Sequence, residues 1–256
     1  MTELMPPVGL QLYTLREEAE IDFVGVLQRV GEIGYVGVEL AGFHGLSPAE
    51  LRRTLDAAGL RISSGHVGWS TPSDFAAAVD VHLEIGCDFI VVPFFGPDAF
   101  ESIDAIARTA GTLNEAHAVA RDRGATLGYH NHWWELEHVL EGRPALLHLF
   151  ERVDPDVLAE VDIYWAQVGG QDPAELVSQL GPRVGLLHVK DGPADGPQSA
   201  MVAVGDGVID VPRVLEASPT ARWHIVELDR CDTDMFDAVA RSYSSLVGTG
   251  LSQGRS

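Results

Sequence analysis

Ser47-Pro48-Ala49-Glu50-Leu51-Arg52-Arg53-Thr54-Leu55-Asp56-Ala57-Ala58-Gly59-Leu60-Arg61-Ile62-Ser63-Ser64-Gly65-His66 is one complete helix-to-strand unit. Ser47 offers a capping side chain, Pro48 suits the first helical position, and Glu50 stands where a capping box needs its acid. A helical pattern runs over Pro48–Ala58 and stops at Gly59, a residue that takes a positive φ without a Cβ clash. The short β-branched segment Arg61–His66 follows and ends on a histidine. Both signals recur along the chain. Thr71-Pro72-Ser73-Asp74 and Asp172-Pro173-Ala174-Glu175 repeat the helix start, and Gly34, Gly86, Gly124 and Gly181 repeat the stop just before a strand.

Eight strand candidates emerge: Val8–Tyr13, Val36–Leu40, Arg61–His66, Phe89–Phe94, Ala125–His130, Leu158–Asp162, Val184–Val189 and Trp223–Leu228. Helical patterns such as Phe23–Ile33, Pro48–Ala58, Pro72–Ile85 and Ile103–Arg123 lie between them. Strand starts are spaced by roughly 25 to 39 residues, the size of one βα unit. Strict alternation closes as a barrel or spreads as an open doubly wound sheet, and eight units favour a single (β/α)8 barrel. Leu12-Tyr13-Thr14-Leu15-Arg16 after the first strand has no glycine, so the phosphate turn of a dinucleotide fold is missing. The expected organisation is one barrel over residues 1–248 and a disordered tail over 249–256.

A chain of 256 residues that is 46% hydrophobic can build one such core. With 38 acidic against 17 basic residues, a formal charge of −21 argues against nucleic-acid binding, which needs clustered cations. No apolar run is long enough to span a bilayer, and Met1–Pro7 has neither a basic start nor an apolar stretch. Cys87 and Cys231 have no redox or metal-type neighbours, so reduced thiols in a cytoplasm are expected. Of the basic residues only Lys190 is a lysine, and it falls two residues after His188.

Catalytic groups of such barrels lie at the C-terminal strand ends. Those ends carry Gln11 and Tyr13, Glu39, His66, His130 with His132, Glu160 with Asp162, His188 with Lys190, and Glu227. Seven of eight ends with such residues exceeds what structural duty alone requires. Asp162, His188 and Glu227 come from consecutive strands, and two carboxylates with an imidazole suit a divalent ion with positions left open. The structural alternative is a helix cap, a loop contact and an ion pair with Arg230. In Tyr129-His130-Asn131-His132-Trp133-Trp134-Glu135, the two histidines share a strand face and suit proton transfer. Glu135 is a candidate fourth ligand or a sugar-hydroxyl contact, and the tryptophans a stacking platform or loop packing. His66 reads as a substrate contact or a loop bridge, Lys190 as a substrate contact or a partner of Asp191. Glu39 and Glu160 read as groups that orient the ligands, or as partners of buried arginines.

Gly9-Leu10-Gln11-Leu12-Tyr13-Thr14-Leu15-Arg16, Gly65-His66-Val67, Tyr129-His130-Asn131-His132 with Glu135, Glu160-Val161-Asp162-Ile163-Tyr164-Trp165, His188-Val189-Lys190-Asp191-Gly192, Val204-Gly205-Asp206-Gly207 and Val226-Glu227-Leu228-Asp229 carry a resemblance. Over nearly its full length the chain resembles the sugar phosphate isomerase/epimerase proteins with a xylose isomerase-like barrel. The resemblance implies Glu, Asp, His and Glu from strands five to eight around Mn2+ or a similar ion. Asp162, His188 and Glu227 match the last three, while Gly128 aligns with the first.

The reading expected from these residues is a metal-dependent sugar isomerase or epimerase. Its ion, Mn2+ first and otherwise Co2+, Zn2+ or Mg2+, sits on Asp162, His188, Glu227 and Glu135. His130, His132 and Glu227 are the candidate proton carriers beside a carbonyl, with an enediolate between. Gln11, Tyr13, Glu39, His66, Asn131, Trp165 and Lys190 are candidate substrate contacts. The His-rich fifth strand also suits a dehydratase or lyase on a keto-sugar, keto-glycoside or keto-inositol. A Schiff-base aldolase on Lys190, a metal-dependent abasic-site endonuclease and a non-catalytic sugar-binding barrel are the remaining alternatives. Trp165 replaces the extra histidine that such a nuclease carries. A neutral sugar is expected, without nucleic-acid or membrane partners, and a homodimer is compatible with the fold.

Overall fold

A computed structural model describes residues 5–255 of the chain. Eight parallel strands form a closed barrel: Val8–Gln11, Gly37–Leu40, Arg61–His66, Phe89–Val92, Thr126–His130, Leu158–Asp162, Val184–Val189 and His224–Val226. Sequential strands pair side by side, and the first closes on the eighth with Val8 opposite His224 and Gly9 opposite Ile225. A two-stranded antiparallel hairpin, Val139–Leu140 with Arg143–Pro144, stands outside the barrel. The expected strands are all present; the first, fourth and eighth are shorter than expected by two or three residues, and the second and fifth by one. Tyr13 lies in a 3-10 turn over Leu12–Leu15, and Glu227 stands one residue beyond its strand.

Helix boundaries follow the capping chemistry. Ser47 and Glu50 form the reciprocal capping box of the helix Pro48–Ala58, which ends at Gly59 with φ +69°. Thr71 and Asp172 cap the helices Pro72–Glu84 and Pro173–Leu180 one way only, their side-chain oxygens accepting first-turn N–H groups. The first helix is longer than expected, Arg16–Ile33, but breaks at Asp22, whose φ of −151° is non-helical. The Asp22 carboxylate accepts the Gly25 N–H at 2.9 Å and so caps the segment that begins at Phe23.

Alternation along each strand divides the interior into an apolar floor and a polar rim. Phe89, Val91, Leu186, Trp223 and Ile225 pack together in the floor. Trp223 needs room there: a Cβ on Gly37 would lie 2.8 Å from its ring. Two residues further along the same faces, Gly37 gives way to Glu39, Gly128 to His130, Leu186 to His188 and Ile225 to Glu227. The sequence pattern therefore lifts Glu39, His130, His188 and Glu227 to one end of the barrel.

The segment from Thr249 is not a disordered tail as far as Arg255. Gln253 pairs with Pro7 beside the first strand, and its carbonyl accepts the Val8 N–H at 2.9 Å. Ser252 is buried with its Oγ 2.8 Å from His224 Nδ1, and the Arg255 N–H donates to the Gly34 carbonyl at 3.0 Å. These partners lie far apart along the chain, so short-range composition cannot reveal them. Ser256 lies outside the described residues. No described helix is long and apolar enough to cross a membrane.

Candidate active site

The rim holds a connected network of acids and imidazoles. Glu39, fully buried, accepts from Gln11 Nε2 at 2.7 Å and from Ser64 Oγ at 2.6 Å, and lies 2.6 Å from His188 Nε2. The other ring nitrogen of His188 lies 2.8 Å from Glu227 Oε2. Glu160 Oε2 stands 2.8 Å from His66 Nε2 and 3.2 Å from both His130 Nδ1 and His188 Nε2. Glu39 and Glu160 thus orient the imidazoles, and neither pairs with an arginine.

Electrostatics separates the histidines by role. Burial penalises the His188 cation, but Glu160, Glu39 and Glu227 outweigh it and raise its pKa well above the ordinary value. Burial, with His188 and His66 close by, pushes His130 far down, and burial also takes His132 down to about 2. His130 and His132 are therefore held as neutral imidazoles, the form that offers a ring-nitrogen lone pair to a metal. Burial raises the Glu227 carboxyl, yet Lys190 and His188 overcompensate and hold it well below the carboxylate range. Asp162, raised by burial to about 6, remains ionised at neutral pH.

His130, Asp162, His188 and Glu227 bring four donor atoms within 4.8 Å of one another. Two carboxylates and two imidazoles match the preference of a borderline divalent ion, and the buried Oδ2 of Asp162 has no aligned hydrogen-bond donor. The donor set fits a metal. Glu160, His66, His130 and His188 form a second, overlapping group. A third group, His117 with Asp154 and Asp156, lies away from the rim, where the Arg183 guanidinium already faces both carboxylates.

Glu135 belongs to none of these groups. Its carboxylate accepts from the Tyr129 hydroxyl at 2.6 Å and from the His132 N–H at 3.0 Å, and burial raises its pKa to about 8. It braces the turn after the fifth strand, and His130 takes the fourth place in the cluster instead. Gly128 lies lower, in the floor, where a Cβ would come within 2.9 Å of the Phe89 ring. No acid fits there.

A cleft of about 450 Å³ opens over the cluster, lined by Tyr13, His66, Phe94, His130, His132, Lys190, Glu227 and Asp229 among others. Tyr13, His66 and Lys190 therefore face it as expected. Gln11 sits beneath, as the donor to Glu39. Asn131 does not face the cleft either: its amide oxygen accepts the Asp162 N–H at 3.1 Å, pinning the sixth strand to the fifth. Trp165 is buried behind Lys190, whose Nζ lies 5.3 Å from the ring centroid. Lys190 pairs with Asp162, Glu227 and Asp229, not with Asp191. Asp191 instead accepts four backbone N–H groups, from Gly192, Gly205, Gly207 and Ile209, and folds the loop after the seventh strand.

Phe94 and Asp229, with the small neighbours Ala41 and Pro93, line the cleft outside the strand-end pattern. Phe94, 55% exposed, follows the one strand end that lacks a polar residue, and Asp229 lies two residues past Glu227. Alternation beyond Glu227 is the signal that finds Asp229. For Phe94 the signal is an aromatic pair, Phe94-Phe95, at a strand mouth.

Residues 27–218 match the family described as xylose isomerase-like TIM barrel, three-quarters of the chain. The chain belongs to that family. Among curated relatives it is 26% identical over 190 residues to an inosose dehydratase of Geobacillus kaustophilus, covering 65% of this chain and 61% of that protein. It is 30% identical over 133 residues to a 2-epi-5-epi-valiolone 7-phosphate 2-epimerase of an Actinoplanes species, covering 52% of this chain and 47% of that one. The chain therefore spans less than two thirds of the length of either relative. A crystal structure described as a sugar phosphate isomerase/epimerase from Parabacteroides distasonis superposes with a TM-score of 0.84 at 22% identity, over 97% of this chain and 100% of the other. At that identity the likeness shows the fold. Of these relatives one is a dehydratase and one an epimerase, in a family described by its likeness to xylose isomerase.

Proposed function

We infer that the chain is a divalent-metal-dependent enzyme that removes a proton next to the carbonyl of a neutral keto-sugar or keto-inositol, giving isomerisation or epimerisation. The observation that carries this reading is the four-donor cluster of His130, Asp162, His188 and Glu227 at the base of a sugar-sized cleft. A divalent ion held by those four residues would supply Lewis-acid polarisation of the carbonyl.

The chain's own groups supply the rest. His132 and Glu227 line the cleft beside the cluster and are the groups placed to take the proton from the carbon next to the carbonyl. Phe94 and Tyr13 present aromatic faces at the mouth, which suits the apolar face of a sugar ring. Neutrality of the substrate follows from the cations. Lys190 is committed to three carboxylates, and Arg16 donates to the Tyr13 and Asp229 carbonyls at 3.0 and 2.8 Å. Lys190 thus has no ammonium N–H left for a phosphate, and two of the Arg16 N–H groups are already taken.

A second outcome from the same intermediate, loss of a β-hydroxyl as in a dehydratase, is favoured by one feature. The Lys190 ammonium lines the cleft, where its positive charge can offset negative charge that develops on a departing oxygen. The same charge opposes a Schiff-base aldolase, since Asp162, Asp229 and Glu227 outweigh burial and hold Lys190 protonated.

Deuterium exchange tests the reading. Mn2+-loaded protein in D2O, offered neutral ketoses and keto-inositols and their phosphate esters, is expected to place deuterium beside the carbonyl of a neutral compound. Asp162→Asn should abolish that exchange. No exchange with any compound by metal-loaded wild type would end the proposal, and exchange confined to the phosphate esters would overturn its substrate class.

A further inference from the structure

Lys190 is the only lysine of the chain and is almost fully buried, at 1% exposure. Its Nζ lies 2.9 Å from Asp162 Oδ2, 2.7 Å from Glu227 Oε2 and 2.6 Å from Asp229 Oδ2. Asp162 and Glu227 are the two carboxylates of the four-donor cluster, and Asp229 is not part of it. The ammonium therefore compensates the negative charge that a divalent ion would otherwise neutralise. Two cations drawn to the same pair of carboxylates repel each other strongly in a buried site, where solvent screens little.

We propose that Lys190 is an internal counter-cation that competes with the divalent ion for Asp162 and Glu227, with Asp229 as the place it withdraws to when the ion binds. This rests on the ion-binding reading above. Asp229 suits the holding role because it forms the shortest of the three pairs, lines the cleft, and is partly open to solvent, so the charge pair can sit there at low desolvation cost. The Trp165 ring beside the ammonium keeps the side chain aimed along this path. The pairing has two consequences. The metal-free barrel does not leave its rim carboxylates unpaired, and the site binds its ion more weakly than four such ligands otherwise would. Asp229 and Lys190 are positioning residues in this account, acting on the ion through Asp162 and Glu227.

The experiment is a calorimetric titration of chelator-stripped full-length protein with Mn2+, comparing wild type, Lys190→Met and Asp229→Asn. Methionine keeps the unbranched stem packed on Trp165 and removes only the charge. Lys190→Met is expected to bind Mn2+ at least tenfold more tightly than wild type. Its metal-free form should melt at a lower temperature, with the loss recovered on adding Mn2+. Asp229→Asn is expected to bind Mn2+ three- to tenfold more weakly, because the ammonium loses its retreat and stays on the ligands.

A merely structural lysine would give looser binding when removed, so the direction of change decides. If wild type binds Mn2+ and Lys190→Met binds it equally or more weakly, the proposal is overturned while the ion-binding reading stands. If Lys190→Met does not fold, unchanged or tighter binding by Asp229→Asn overturns it alone. If neither wild type nor Lys190→Met binds Mn2+, both readings fall.

Discussion

Replacing Glu39 should unseat the rim without substituting any proposed metal ligand. Its carboxylate is completely buried and accepts from Gln11 Nε2, Ser64 Oγ and His188 Nε2 at 2.7, 2.6 and 2.6 Å. In Glu39→Ala the Gln11 amide loses its acceptor, Ser64 keeps only Ser63 at 3.1 Å, and His188 retains Glu160 and Glu227. One stranded donor costs about 1–3 kcal/mol, and breaking one side of a buried charged pair costs about 3–5 kcal/mol. His188 keeps two acids, so the lower end of that range applies, and the expected loss is about 4–6 kcal/mol in all. Glu39→Gln holds the shape and the Ser64 bond but turns an NH2 toward two other donors, and should cost about 2–3 kcal/mol. Urea unfolding of chelator-treated protein, followed by tryptophan fluorescence, reads both losses as lower midpoints at an unchanged m-value. If both variants unfold within about 0.5 kcal/mol of wild type, the rim network contributes nothing to stability and the reasoning fails.

Three further outcomes follow from the same structure. Burial pushes the Cys87 thiol up to about 12 while Cys231 is partly exposed, so a thiol reagent should label one cysteine in native protein and both in denaturant; rapid native labelling of two would contradict the burial. Burial lowers His224 to about 4 in the folded chain, so the unfolded chain, titrating near 6.5, takes the proton first as the pH falls. Stability should therefore drop by ~1.4 kcal/mol per pH unit from about 6.5 down to about 4 on this residue's account, and a His224→Gln chain whose unfolding midpoint falls as steeply there would refute it. Asp191→Ala strands four backbone N–H groups and should speed hydrogen exchange in the loop after the seventh strand while the barrel strands stay protected; unchanged loop protection would remove Asp191 as its organiser.

The barrel was legible because its signals are local. Caps such as Ser47 with Glu50 and stops such as Gly59 fix each helix within a few residues, and alternation from Leu186 to His188 or from Ile225 to Glu227 lifts the polar groups to one rim. Asp162, His188 and Glu227 were legible for the same reason, since neighbouring strands place their ends side by side. What escaped depends on pairings between distant residues. Glu135 reads as a ligand by spacing, yet the Tyr129 hydroxyl draws it into the turn and leaves His130 to face the cluster. Asn131 reads as a strand-end contact, but the adjacent strand supplies the Asp162 N–H that claims it. Asp229 and the order of residues 249–255 depend on partners far along the chain, Lys190 in one case and the Pro6–Val8 segment in the other.

Anomalous diffraction from crystals grown with Mn2+ tests the central claim most directly, because it locates the ion without reference to activity. The account predicts one strong anomalous peak within coordinating distance of His130, Asp162, His188 and Glu227, with Glu135 still bonded to Tyr129 and outside the ion's reach. An ion on Glu135, or a rim without any anomalous peak, would contradict it.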